Sequence, residues 1–463
     1  MTITTRRVRR VQVDAALAHK ERRAAGKSLR DKAARASHAV WQKPHRRDAM
    51  ALLVESSRGR VPQLVPIRYG RMMESPFAFF RGAAAIMAAD LSRTPSSGVR
   101  VQVCGDCHLM NFGGFSTPER NIVFDIDDFD ETLPGPWEWD VKRLATSFVV
   151  AGRQHGCSNA DARKLATRCV RSYRSHMHHY AGMGILERWH ERIEMDDLIA
   201  TTRMKKWKQV ILAQVDRAAS RSVLEDDFTK LVGIEGGRKH IIRDTPPLIF
   251  HQTRQRAGDY ARAVRDAFQR YRSTLTDERK DLLKRYAVED VASKVAGIGS
   301  VGMRCGVLLL MAGPADAIFL QVKEARAGAL EAYAGRSRFR NCGQRVVAGQ
   351  RLMQSASDMF LGWTTAGGRD YYIRQLREMK IKLLVEPADP PRLAQYAEWC
   401  GWALARAHAK SGDAGMISGY LGNSGRFDKA VTAFAAAYAD QNERDYRAML
   451  KAIQSGKLHA IQG

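Results

Sequence analysis

Residues 104–130 read CGDCHLMNFGGFSTPERNIVFDIDDFD and carry the densest pattern of chemically active side chains in the sequence. Asp106 and Asn111 stand five positions apart, and a short apolar strand then leads into a cluster of aspartates. This order predicts phosphoryl transfer from Mg-ATP, in which one carboxylate lies near the acceptor hydroxyl while an asparagine and a second carboxylate hold the metal. A solvated acidic turn is the alternative for the aspartates taken alone.

A glycine-rich motif far downstream supports the same chemistry. Its sequence, VAGIGSVG, places four small residues in one loop, namely Gly297, Gly299, Ser300 and Gly302. An apolar strand, CGVLLLM, follows the loop, and a second strand, AIFLQVK, ends at Lys323. A hairpin of this kind lays backbone amides over phosphates, and Lys323 would reach those phosphates as a point charge. An ordinary surface lysine is the alternative.

Both motifs resemble those of aminoglycoside-phosphotransferase-like kinases. GDCHLMN and the acidic strand end look like the catalytic and metal loops, while GIGSVG and FLQVKEA look like the glycine loop and the lysine strand. The fuller wording, including SPFAFFRG, GQRVVAGQRLMQ and LARAHAKSGD, is similar to the bacterial domain-of-unknown-function family 2252 over roughly residues 45–450. The resemblance implies a kinase-like fold with ATP and Mg²⁺ as cofactors, and it leaves the small-molecule acceptor open.

The resemblance also implies roles for the acidic residues. Asp106 corresponds to the base for the acceptor hydroxyl, and Asn111 to a metal ligand. Asp128 is the first choice for the second metal ligand, because the Asp-Phe pair there echoes the Asp-Phe-Gly of kinases. Strand alternation would point Asp125 and Asp127 to one face and Asp128 to the other, so both remain alternatives.

Three further side chains near these motifs have expected tasks. Asp140 corresponds to the aspartate that opens the helix after the metal loop, and we expect it to brace the backbone of the catalytic loop. His108 is expected to form a hydrogen bond within that loop. Arg81 follows a cluster of phenylalanines, and its guanidinium could reach a phosphate.

The acid that usually pairs with the phosphate-binding lysine is missing from its expected place. Residues 332–349 contain no Asp or Glu. Glu331 lies nearer to Lys323 than expected, and Gln350 could serve only as a neutral hydrogen-bond partner.

The motif order departs from that of ordinary kinases, since Lys323 follows Asp106 by more than two hundred positions. The sequence therefore predicts an α+β, two-lobed, protein-kinase-like fold that is circularly permuted, with a small β-rich lobe and a large helical lobe. Helical spacing predicts a helix at about 391–409, which should pack beside the segment of Asp106. The predicted divisions are a basic helical arm (1–50), a large-lobe part (51–290), a small nucleotide-binding lobe (291–385) and a helical return to the large lobe (386–463).

Charge suggests two other classes of function. The net charge is +26, and residues 1–50 hold fourteen Lys or Arg against four acids. Such an arm could bind nucleic acid, and a non-catalytic nucleic-acid-binding protein is one rival interpretation; a solvated arm is the simpler one. Transfer of AMP to proteins by the same kinase-like fold is the other rival.

Hydropathy and cysteine usage set the expected compartment. No stretch approaches the roughly 20 apolar residues needed to span a bilayer, so we expect no transmembrane segment. Seven cysteines in no regular framework favour reduced thiols and a cytoplasmic location. The single C-x-x-C at Cys104 and Cys107 lacks a second pair at metal spacing, which argues against zinc.

Overall fold

The computed structural model describes residues 19–220, 231–235, 239–246, 248–251, 257–295, 297–313, 316–376, 381, 383 and 389–461. Its helices and strands confirm the predicted α+β class. The α-helices are α1 (His19–Lys32), α2 (Ala49–Glu55), α3 (Val65–Met72), α4 (Pro76–Gly82), α5 (Ala84–Leu91), α6 (Trp137–Gln154), α7 (Asn159–Gly182), α8 (Ile185–His190), α9 (Met195–Thr201), α10 (Lys205–Ser220), α11 (Ala257–Arg272), α12 (Asp277–Leu283), α13 (Glu331–Ala334), α14 (Cys342–Met353), α15 (Pro390–Ser411), α16 (Ala414–Leu421) and α17 (Arg426–Gln454). The strands are β1 (Arg100–Val103), β2 (Phe112–Ser116), β3 (Ile122–Ile126), β4 (Leu133–Pro136), β5 (Val232–Glu235), β6 (Lys239–Ile242), β7 (Ile249–Phe250), β8 (Ala287–Lys294), β9 (Cys305–Gly313), β10 (Asp316–Ala325), β11 (Gly362–Ala366) and β12 (Arg369–Gln375).

A six-stranded antiparallel sheet holds the glycine loop and the lysine. Its strand order is β11-β12-β10-β9-β8-β7. The loop connects β8 to β9, and Lys323 on β10 lies opposite Cys305 on β9 and Tyr372 on β12. The helix α14 connects β10 to β11. The two strands that we predicted after the glycine loop are present as the β9–β10 hairpin, and β8 precedes the loop.

Both faces of this sheet are covered by segments that precede it in the chain. Leu308 and Leu320 pack against Phe268 and Tyr271 of α11 on one face. Val307 and Phe319 pack with Val232 and Ile242 of the β5–β6 hairpin on the other. The predicted boundary at residue 291 lies within β8, and the predicted large-lobe part before it (51–290) contains the short strands β5, β6 and β7. Strands of two to four residues are too short to show a hydrophobic period.

The largest hydrophobic core lies among the long helices. Trp137 and Phe148 of α6, Tyr396 and Leu404 of α15 and Phe434 of α17 are all at most 2% exposed and belong to one cluster. Helix α6 is buried along nearly its whole length. This core supports two short ladders, in which β1 pairs with β4 and β2 with β3, and these ladders carry the 104–130 stretch.

Helix α15 begins and ends within two residues of the predicted helix and packs where the motif order required. Its Tyr396 hydroxyl donates to the carbonyl oxygens of Leu109 (3.1 Å) and Phe112 (2.8 Å), which belong to the stretch after Asp106. Side chains some 300 residues downstream therefore hold the loop that follows Asp106.

The basic arm is helical in its described part. Helix α1 packs on α16, where Arg30 donates to the carbonyls of Gly419 (2.6 Å) and Tyr420 (2.9 Å), and Arg35 donates to Leu421 O (2.6 Å). Cations at a helix C-terminus are stabilising, so these two arginines have a structural task. The arginine pairs of residues 6–10 lie outside the described residues. Among the helices of the described ranges, none is both long and apolar enough to cross a membrane.

Candidate active site

An ion pair joins the sheet to the acidic stretch. Lys323 Nζ lies 2.8 Å from Asp130 Oδ2, and the Tyr372 hydroxyl donates to Asp130 Oδ1 at 2.5 Å. Ser300 Oγ, from the glycine loop, donates to Asp130 Oδ2 at 3.3 Å. The Asp130 carboxylate thus connects the lysine strand and the glycine loop to the end of the acidic stretch.

Asp130 is the acidic partner of Lys323. The two candidates named from the sequence are engaged elsewhere: Glu331 Oε1 accepts from Gly328 N at 3.1 Å, and Gln350 Nε2 donates to Gln354 Oε1 at 2.9 Å. By analogy with kinases we expected the partner downstream of Lys323. The acid instead belongs to the acidic cluster that precedes Lys323 in the sequence. Its position, two residues after Asp128, was the available signal.

The ionisable groups of this pair and its neighbour Asp128 have shifted pKa values. Burial would lower the pKa of Lys323, but Asp130, Tyr372 and Asp128 together more than offset burial and hold that pKa well above its usual range. Burial would raise the pKa of Asp130, yet Lys323 keeps it below its usual range. Asp128 is different, because burial and the neighbouring Asp130 together raise its pKa to about 6. Burial and the neighbouring carboxylate therefore both favour the protonated form of Asp128.

Asp127 and Asp128 lie next to the Lys323–Asp130 pair. The backbone N–H of Asp127 donates to Asn111 O at 2.9 Å, which fixes the acidic loop against the 104–111 loop. Arg374 donates to Asp127 O at 3.1 Å, and its charge opposes the rise in the Asp128 pKa. Asp128 Oδ1 accepts from Asp130 N at 3.3 Å.

Asp125, which we named as an alternative metal ligand, lies apart from these groups in the core. Its side chain and that of Arg406 are both 0% exposed, and Arg406 Nη2 lies 2.8 Å from Oδ1 and 2.9 Å from Oδ2. The backbone N–H and hydroxyl of Ser355 also donate to Oδ2. A carboxylate that is sealed in this way serves the core and is not free for a metal.

Asp106 faces a buried arginine. Arg143 Nε donates to Asp106 Oδ1 at 2.8 Å, and the side chains are 2% and 21% exposed, respectively. Asn111 Nδ2 donates to the backbone oxygen of Asp106 at 2.7 Å. Because the amide donor of Asn111 is used on the loop, its amide oxygen is the atom that remains for a metal. Arg143 was not among our candidates, since an arginine inside an apolar helical stripe gives no local signal.

His108 lies beside Asp106 as a neutral ring. Its Nε2 is 3.9 Å from Asp106 Oδ2, which is too long for a hydrogen bond. Burial lowers the pKa of His108 to about 3, with Arg81 and Arg143 adding to the effect of burial and Asp106 opposing it. The side-chain hydrogen bond that we expected for His108 is not seen, since its Nδ1 is buried without a partner among the described residues; the loop bond at this position is made by the backbone, where Asn111 N donates to His108 O at 2.9 Å.

Asp140 holds the backbone at the start of the 104–111 loop. Its carboxylate accepts from the backbone N–H groups of Cys104 (2.8 Å) and Gly105 (3.0 Å), and His408 Nε2 lies 3.2 Å from Oδ2. The thiols of Cys104 and Cys107 lie within 4.8 Å of this carboxylate and of one another. Both carboxylate oxygens already accept hydrogen bonds, and burial raises the pKa of both thiols, so the cluster reads as part of the loop's support.

The glycine loop closes over Asp106. The point where a Gly299 Cβ would sit is 4.0 Å from Asp106 Oδ2 and 3.8 Å from the backbone oxygen of Arg81. Gly302 has a φ of 85°, a conformation that favours glycine. A side chain at position 299 would thus narrow the space beside Asp106, while Arg81 borders the same loop.

Comparison with known families gives one match. The profile of a family described as "Uncharacterized protein conserved in bacteria (DUF2252)" matches residues 60–452. No curated protein and no solved structure matches the chain. The matched range includes the catalytic loop, the acidic run, the glycine loop and Lys323.

Proposed function

The chain belongs to this bacterial family, and we propose that it is an ATP-dependent phosphotransferase that acts on a hydroxyl of a small molecule. The observation that carries the proposal is the ion pair between Lys323 and Asp130, which are 193 residues apart in sequence. It brings a glycine hairpin and its lysine to the end of the acidic run. Protein kinases likewise carry their phosphate-binding lysine on the strand after the glycine-loop hairpin.

The proposed fold is a circularly permuted, two-lobed, kinase-like fold. Two features support it. Strands β8, β9 and β10, helix α14, and strands β11 and β12 follow one another as a hairpin, a lysine strand, a helix and two closing strands. Helix α15, which leads into the catalytic loop in ordinary kinases, reaches that loop here from the opposite end of the chain.

Mg²⁺ fits the acidic groups of the proposed site. Asp127, Asp128 and the amide oxygen of Asn111 are hard oxygen donors, which Mg²⁺ prefers. Burial and the neighbouring Asp130 raise the pKa of Asp128, and a bound cation would favour its ionised form. When bound, the ion would neutralise charge on the phosphate oxygens. Lys323 and the amides of the 297–302 loop would hold the phosphates.

Asp106 is proposed to orient the acceptor hydroxyl and to receive its proton. Its Oδ1 accepts a hydrogen bond from Arg143 Nε, which fixes the orientation of the carboxylate. Phosphoryl transfer tolerates a weak base, because its loose transition state depends mainly on positioning and charge stabilisation.

Removing the lysine charge tests nucleotide binding directly. Lys323→Met is expected to weaken Mg-ATP binding about tenfold or more, because a charge-assisted hydrogen bond to phosphate is lost. Isothermal titration calorimetry measures the effect. Lys284→Met is the matched control, since that ammonium pairs with Asp281 on an exposed face, where the two side chains are 63% and 68% exposed. A wild-type protein that shows no nucleotide binding would remove the basis of the proposed function.

Asparagine substitutions can identify the metal ligand. Asp128→Asn is expected to raise the Mg²⁺ concentration required for half-maximal turnover by about tenfold or more, at least the cost of losing an outer-shell partner. Asp127→Asn is made in parallel, and turnover is followed across a Mg²⁺ titration. If only Asp127→Asn shifts the requirement, the ligand is Asp127.

Labelled ATP and a pool of metabolites would identify the reaction. We expect the label of the γ-phosphate to move to a small molecule, with the mass increase of one phosphoryl group. A product that carries the mass of AMP on protein would replace the proposal with nucleotidyl transfer. The absence of ATP turnover together with steeply salt-dependent binding to nucleic acid would favour the non-catalytic alternative.

A further inference from the structure

Two side chains hold the glycine loop through contacts that are not made by the sheet. Arg60 approaches the loop from the segment before α3, while Ile298 extends from the loop into a cluster of helices. Nothing in the kinase resemblance assigns a task to either side chain.

Arg60 binds the loop through two backbone oxygens. Its Nη1 donates to Gly299 O at 2.9 Å and to Val301 O at 2.6 Å, and the neighbouring Val61 N–H donates to Gly302 O at 2.8 Å. The N–H and C=O of a trans peptide point in opposite directions. By holding Val301 O, Arg60 therefore turns the Gly302 N–H away from itself, toward the other side of the loop.

The position of Arg60 is itself fixed by neighbouring contacts. Its Nε donates to Ser56 O at 3.1 Å. Arg68, which is 1% exposed, donates to Ser57 Oγ and to Gly82 O, both at 2.8 Å, and so ties the 56–60 turn to the end of α4. Burial lowers the pKa of Arg60, and Glu131, Asp130 and Glu324 offset part of that effect.

Ile298 anchors the tip of the loop in apolar surroundings. It is 8% exposed and belongs to a cluster that includes Leu53 of α2, Phe79 of α4 and Met449 of α17. Burying an isoleucine side chain stabilises this arrangement by an amount comparable with several hydrogen bonds. The loop is therefore held at its tip and along its backbone by the helices that flank the sheet.

We infer that Arg60 is a positioning residue that sets where the glycine loop presents its amides to the nucleotide's phosphates. The inference rests on the proposed function for its ligand. Arg60 acts through the carbonyls of Gly299 and Val301, so its loss should leave the chemistry of Asp106 intact. Its effect should appear in loop order and in nucleotide affinity, with turnover at saturating ATP far less affected.

Hydrogen exchange of the loop amides tests the positioning step without nucleotide. Arg60→Ala is expected to speed exchange at residues 297–303 about tenfold or more, because two hydrogen bonds are lost. Arg58→Ala is the matched control, since its side chain is 80% exposed and its guanidinium pairs with Glu55 one turn away. Arg60→Lys should retain most of the protection, because a single donor atom serves both carbonyls. Ile298→Ala should also speed exchange, and it guards against a folding defect peculiar to Arg60→Ala.

Nucleotide titrations complete the test and separate the two ways of failing. Arg60→Ala should raise the KM for ATP about tenfold with kcat within about twofold of wild type, the pattern of lost binding that is uniform between ground and transition states. Exchange in Arg60→Ala equal to that in Arg58→Ala would overturn the positioning role. Faster exchange with unchanged nucleotide affinity would overturn the inference while sparing the proposed function. A wild-type protein that binds no nucleotide would overturn both, whatever the exchange shows.

Discussion

Asp106→Asn is expected to lower turnover about a hundredfold or more, the scale of losing a general acid–base group, while the fold and the affinity for Mg-ATP stay close to wild type. The amide keeps an oxygen that can accept from Arg143 Nε, so the contact at 2.8 Å can persist in weaker form. Asp106 touches no residue of the lysine pair. Turnover with the identified acceptor and calorimetry with Mg-ATP would measure the two quantities separately.

A conservative change elsewhere provides the comparison for Asp106→Asn. Asp277→Asn alters a side chain that is 94% exposed at the start of α12, and we expect no change in turnover. Far-UV circular dichroism of both variants would exclude a folding defect. Wild-type turnover in Asp106→Asn would refute the catalytic assignment, and GDCHLMN would then be a loop with a structural role.

Each element that could be predicted from the sequence is marked by a pattern among residues that are close together in the chain. The strands after the glycine loop show as two apolar runs separated by Gly313-Pro314, and α15 shows as apolar residues at helical spacing after a proline. Asp106, Asn111, Asp127 and Asp128 lie within one short stretch, so their proximity follows from chain connectivity. Lys323 could be brought to them only through the resemblance to kinases.

The residues that the sequence did not reveal act through partners far away in the chain. Arg143, Arg60 and Arg406 sit inside helices or turns of ordinary composition, and their tasks depend on Asp106, the glycine loop and Asp125. The register of β3 against the core places the Asp125 side chain in the interior. Strand alternation separates the two faces of a strand but does not tell which face is buried. Asp130 was visible in the motif, yet its pairing with Lys323 depends on how the sheet docks.

The Asp125–Arg406 pair makes the second large prediction. Arg406→Ala is expected to lower the free energy of unfolding by about 3–5 kcal/mol, because it leaves a fully buried carboxylate without its counter-charge. Chemical denaturation in urea would measure the change. The exposed pair of Arg168 and Glu398 is the control, with side chains 47% and 34% exposed at 2.8 Å, and Arg168→Ala should cost at most about 1 kcal/mol.

A paired substitution distinguishes an uncompensated charge from lost packing. In Asp125→Asn/Arg406→Met both charges are removed and the volume is largely kept, so most of the stability lost in Arg406→Ala should return. If Arg406→Ala costs no more than Arg168→Ala, the carboxylate is not sealed from water as the contacts indicate, and Asp125 becomes available again as a metal ligand. If the double variant is as unstable as Arg406→Ala, the loss comes from the packing of Arg406 beside Met353, whose carbonyl accepts from the same guanidinium. If the Asp125–Arg406 pair is sealed from water, the stability change should be independent of Mg²⁺.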